Sequence, residues 1–171
     1  MRGRVLLIIG ALATLAFLAT AVLGYRLAGG PTDPGVPTHL LIGIASILMM
    51  LFSHSWILIY LVATGGAVRE AVRDQGADAF FDAASQGLRR RAIPLAVGAT
   101  VLGFATFLLG AGVIPNLVRA WIHHVLFYAT VLVQGLALWT ENRVLGENER
   151  LLSDLDGRLT SPTLEPIPHA G

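Results

Sequence analysis

The stretch HLLIGIASILMMLFSHSWILIYLVAT, His39–Thr64, contains no Asp, Glu, Lys or Arg. About 20 predominantly apolar residues are enough to cross the hydrocarbon of a bilayer. Hydrocarbon offers no water to backbone N–H and C=O groups, so such a stretch must satisfy them internally as a helix. Working outward, three more stretches are long and apolar enough: Val5–Tyr25, Ala92–Val113 and, with Arg119 near its start, Leu117–Thr140. The chain is therefore expected to be an all-α, integral membrane four-helix bundle, one domain over residues 1–160.

Composition agrees. Of 171 residues 54% are hydrophobic and 13% charged, against about 25% charged in a soluble domain, and the mean hydropathy is +0.68. A net charge of +1 gives no reason to expect nucleic acid as a partner. With no Cys there is no disulfide, thiolate metal site, iron–sulfur cluster or covalently attached c-type haem. The run after Met1-Arg-Gly-Arg4 is longer than the apolar core of a secretory signal, about 7–15 residues, so it is read as a retained first span.

The connections set the topology. Pro31, Pro34 and Pro37 with Gly29, Gly30 and Gly35 make the first one non-helical, with Thr38 as the expected cap of span two. Gly110–Asn116 reads as a tight turn, making spans three and four an antiparallel hairpin. Ten arginines (Arg2, Arg4, Arg69, Arg73, Arg89, Arg90, Arg91, Arg143, Arg150 and Arg158) fall on one side, and only Arg26 and Arg119 on the other. The positive-inside rule puts both termini in the cytoplasm of a bacterial-type inner membrane. Tyr25 and Trp121 suit the outer interface, Tyr60 and Trp139 the inner one.

Two amphipathic segments are expected on the cytoplasmic side as short helices of their own. After span two, a helical extension ends near Gly76, and Ala77–Leu88 places Phe80, Phe81, Ala84 and Leu88 on one side. After span four, Leu145, Leu152, Leu155 and Leu159 form an apolar stripe that needs a partner. The proline-rich Ser161–Gly171 is expected to be disordered.

Function is written less plainly. All 11 acidic residues are placed in connections, at helix ends or in the tail. No carboxylate is therefore expected inside a span, which argues against a pump or carboxylate-coupled transporter. The spans carry His39, His54, His123 and His124 instead. Neutral imidazole is the usual axial ligand of a b-type haem in a helix bundle. His39 and His123 or His124 lie level near the outer edge, whereas His54 is about 22 Å deeper. Gln134 is the residue of span four nearest the level of His54. The alternative for His54 is a hydrogen bond to Gln134 or Ser53, or a quinone or lipid contact with Tyr128 and Gln134. Ser53-His54-Ser55 lacks an acid to orient the imidazole, no phosphate loop or zinc-protease motif is present, and no enzyme activity is expected.

The spacing His39-x14-His54 resembles that of di-haem membrane cytochromes, whose helices carry two histidines at similar separation. Span four has Leu138 and Trp139 where a second ligand would be needed, so at most one haem is expected. Phe52–Ala71 and Trp121–Asn142 look like parts of uncharacterised four-helix bacterial membrane proteins, a resemblance that implies no function. The leading expectation is a non-catalytic accessory or assembly subunit, or a homo-oligomer, whose partners are membrane lipid and other membrane subunits. The second is a b-type haem electron-transfer subunit; neither needs a further metal.

Overall fold

The computed structural model describes residues 2–27, 33–113 and 117–160. Four helices follow one another: α1 (Arg2–Arg26), α2 (Val36–Asp74), α3 (Ala79–Val113) and α4 (Ala120–Thr160). All four are long and apolar enough to cross a membrane, and no strand occurs among the described residues. Consecutive helices pack side by side and α1 closes against α4, giving an up-down-up-down bundle in which α2 and α4 face each other diagonally.

α2, α3 and α4 have 39, 35 and 41 residues. At about 1.5 Å per residue they run roughly 52–62 Å, well beyond a hydrocarbon core of about 30 Å. The expected short amphipathic helices are thus not separate elements. Ala79–Leu88 is the first part of α3, and the leucine stripe is the last part of α4. The seams explain why. The buried positions of α3 are Phe81, Ser85, Leu88, Ala92, Ala96, Ala99, Gly103 and Thr106. They recur every three or four residues without a phase break, which keeps one face on the same neighbours along the whole rod. Pro94 lies in α3 but off this seam, and its missing N–H does not interrupt the packing. Gly146 likewise faces open space in α4 and does not break it.

One apolar cluster, Ile57, Leu61, Val68, Phe81, Leu88, Val144, Leu151 and Leu155 among its members, runs through α2, α3 and α4 into this extension. A second ties α1 to the bundle: Ala13 and Phe17 meet Ile47, Met50 and Phe127, with the Phe17 and Phe127 rings stacked at 5.1 Å.

The turns fit their residues. Gly35 caps α2, with a proline in the first turn, so Thr38 lies inside the helix rather than at its cap. After α2, Gly76 takes the left-handed φ of +70°, and the N–H groups of Gln75 and Ala77 both donate to the Ala71 carbonyl. The Pro31 region, Pro115 and the tail from 161 lie outside the described residues.

Candidate functional site

Two polar centres lie inside the bundle, one at each half of its length. The first occupies the arginine-poor end, where a cavity of about 360 Å³ opens between the four helices. That volume falls within the roughly 300–1,000 Å³ of ligand sites. Its walls are apolar: Phe17, Ile47, Phe107 and Phe127. His39, His123 and His124 also line it.

His39 and His123 are held in the same way. His39 Nδ1 lies 2.9 Å from the Thr20 carbonyl oxygen, and His123 Nδ1 lies 3.0 Å from that of Thr106. A carbonyl only accepts, so Nδ1 carries the proton in both rings and Nε2 carries the lone pair. Neither Nε2 has a hydrogen-bond partner among the described residues. In each hairpin a glycine one turn beyond the threonine makes room. A Cβ on Gly24 would stand 2.9 Å from His39 Cε1, and one on Gly110 would stand 2.6 Å from His123 Cε1. Both threonine hydroxyls bond back one turn, to the carbonyls of Ala16 and Leu102.

This symmetry is present in the chain as a short repeat, Ala19-Thr20-x-x-Leu23-Gly24 in α1 and Ala105-Thr106-x-x-Leu109-Gly110 in α3. Each is followed by a histidine near the start of the next helix. Comparing the two hairpins would have singled out His39 and His123 as a pair. His124 is set apart: its ring meets Tyr25 at 5.1 Å, at the cavity's edge. Tyr128 is exposed and its hydroxyl lies 3.1 Å from that of Tyr25, so it does not join His54 and Gln134.

The second centre corrects the expectation that every acidic residue lies in a connection, at a helix end or in the tail. Glu141 is not at a helix end. It sits within α4, 0% exposed, with Oε1 2.6 Å from His54 Nδ1. α2 and α4 run parallel across the bundle, and their register carries it to the level of His54, although the apolar run ends at Thr140. An acid therefore does orient this imidazole. The other ring nitrogen, Nε2, is 2.8 Å from Gln134 Oε1. The Gln134 amide nitrogen reaches Thr14 Oγ1 at 3.3 Å, and the Thr14 hydroxyl donates to the Gly10 carbonyl at 2.9 Å. The amide oxygen is thus the acceptor and Nε2 the donor, which leaves one proton between Nδ1 and Oε1. Both His54 nitrogens are engaged, so this ring offers no lone pair to an iron.

Further pairs extend the polar line through the bundle. Thr106 and Thr130 share a hydroxyl contact of 2.7 Å, and Asn148 donates to Thr64 at 3.2 Å. Thr130, Gln134, Glu141 and Asn148 all lie buried on the inner face of α4. No group of three or more His, Asp or Glu side chains suited to a metal ion occurs among the described residues. No family model, curated protein or solved structure matches the chain.

Proposed function

We propose that the protein is a b-type haem carrier of the membrane, with His39 and His123 as the residues that would hold the group. One observation carries this reading: two imidazoles on diagonally facing helices, each with Nδ1–H tied to a backbone carbonyl and an unengaged Nε2, border one apolar cavity. A histidine that binds metal ordinarily donates its other N–H to a carbonyl or carboxylate, which fixes the tautomer and raises ligand basicity. The apolar walls suit a macrocycle, and Gly24 and Gly110 let the rings lie close against α1 and α3.

Such a group would supply one-electron chemistry. His39 and His123 would hold it, and the Thr20 and Thr106 carbonyls orient both rings. We place the four spans in a bacterial-type inner membrane, with the ten-arginine side in the cytoplasm. An electron carrier of this size passes its electron to another protein, so the role of accessory subunit, beside another membrane subunit or a second copy, belongs to the same proposal.

The experiment is optical. Protein purified in mild detergent should give a reduced-minus-oxidised spectrum with b-type bands. His39→Ala and His123→Ala should each lose them, while His54→Ala and His124→Ala keep them. A colourless wild-type protein, purified from cells supplied with haem, would overturn the reading.

A further inference from the structure

The haem reading leaves the His54–Glu141 pair unused. We propose that this pair is a proton-loading site, which takes up one proton at Glu141 Oε2 when the haem is reduced. The inference rests on the bis-histidine reading above.

Three observations support it. First, the pair is sealed: His54 is 1% and Glu141 0% exposed. An ionisable group at hydrocarbon depth is costly and marks a functional site by default. Second, the pair has a vacant acceptor. Glu141 Oε1 is engaged by His54, whereas Oε2 is buried without a hydrogen-bond partner. The proton between Nδ1 and Oε1 neutralises the pair, and a second proton has one open place, at Oε2. Third, the pair stands in line with other polar groups. Asn148 and Thr64 are paired about two turns further along α4, towards the arginine-rich end. In the other direction the bonds close on Thr14 and the Gly10 carbonyl.

Among the described residues, His54 is the one titratable side chain that bonds to Glu141, and Tyr60 packs against the adjoining apolar cluster. α1 faces the pair with Thr14 and Gly10, and α4 with Gln134. Ser53 is the neighbour of His54 on α2. Met50 packs at Gly103, which sets the register of α3 and brings Ala99 and Ala96 to this level. An electron added to the iron makes the interior more negative, and salt screens little across a low-dielectric core. A proton at Oε2 offsets that charge.

The step balances. A one-electron donor reduces the ferric iron to ferrous. One proton from the aqueous phase on the arginine-rich side forms an O–H bond at Oε2, and no bond in the protein breaks. Oxidation of the iron releases the same proton.

The test is the haem midpoint potential from pH 5.5 to 8.5, in wild type and in Glu141→Gln. Full coupling of one proton per electron gives about 59 mV per pH unit, the value of a tenfold change for a one-electron couple. With the pair roughly 20 Å from His39 along the helix, the expected slope is about a third of that. A slope is expected in the wild type and should disappear in Glu141→Gln, with the haem bands unchanged. Normal bands with a pH-independent potential would overturn the coupling alone, as would a slope that survives in Glu141→Gln. Missing haem bands in the wild type would overturn both readings. Should Glu141→Gln not fold, the wild-type infrared difference spectrum decides. A protonated-carboxyl band should appear on reduction, and its absence overturns the proposal.

Discussion

Gly110 lies so close to His123 that a methyl group on it would stand 2.6 Å from Cε1 of the ring. The contact also uncovers a carbonyl. Thr106 C=O belongs to the α3 ladder, and its second lone pair is open to the imidazole because the residue one turn on has no side chain. Gly110→Ala should therefore displace the ring and break the bond to Thr106. The expected result is a loss of haem content, with about 1–3 kcal/mol of overpacking cost. Gly146 faces open space, and Gly146→Ala should instead stabilise by about 0.5–1 kcal/mol. Haem-to-protein ratio and thermal unfolding in detergent check both.

Removing one partner of the buried pair should be worse than removing both. Glu141→Leu leaves His54 with an unpaired nitrogen in the core, at a cost of about 3–5 kcal/mol. His54→Leu leaves the carboxyl stranded in the same way. The double variant replaces both with apolar groups and should lie closer to wild type than either single one. A double-mutant cycle on unfolding in denaturing detergent measures the coupling.

Arg91 and Glu147 join α3 to α4 in the extension, and both are partly exposed, 52% and 38%. The hydrogen bond from Arg91, followed by the Arg91, Arg143 and Arg150 charges, holds the Glu147 carboxyl below its ordinary value despite some burial. A depressed carboxylate stabilises the fold above its unfolded pKa, about 4.3. That contribution fades as pH falls through the lower folded value. Solvent screening keeps it below about 1 kcal/mol. Glu147→Gln should cost that much or less at pH 7 and progressively less as pH falls through the lowered folded value, by unfolding across an acid pH series.

Position should separate the two apolar surfaces. Leu88 is 5% exposed in the core of the extension, and Leu88→Ala should cost about 2–5 kcal/mol. Leu132 faces outward at 69% exposure, and Leu132→Ala should change detergent-solubilised stability by less than about 0.5 kcal/mol.

The four rods were legible in the sequence because hydrocarbon forces one kind of backbone and one length. Their continuation was not. Pro94 and Gly146 look like breaks, and only the three-and-four spacing of buried residues from Phe81 to Thr106 shows α3 running on. The level of His54 was also legible: counting from Tyr60 and Trp139 leads to Gln134, which the ring does meet. Glu141 escaped because hydropathy marks the end of the apolar run, not the depth reached by a side chain beyond it. Its phase was the available signal, seven residues after Gln134 on the face that also carries Thr130 and Asn148. The shared use of Thr20 and Thr106 carbonyls required the coordinates, since backbone acceptors leave no mark in composition.

Each ring is anchored within its own hairpin: His39 to α1, its partner in α1–α2, and His123 to α3, its partner in α3–α4. No hydrogen bond that orients either imidazole crosses from one hairpin to the other. The hairpins themselves are joined elsewhere, by the Phe17–Phe127 stack and the bonds of His54 to Gln134 and Glu141, so each imidazole keeps its aim independently of the other.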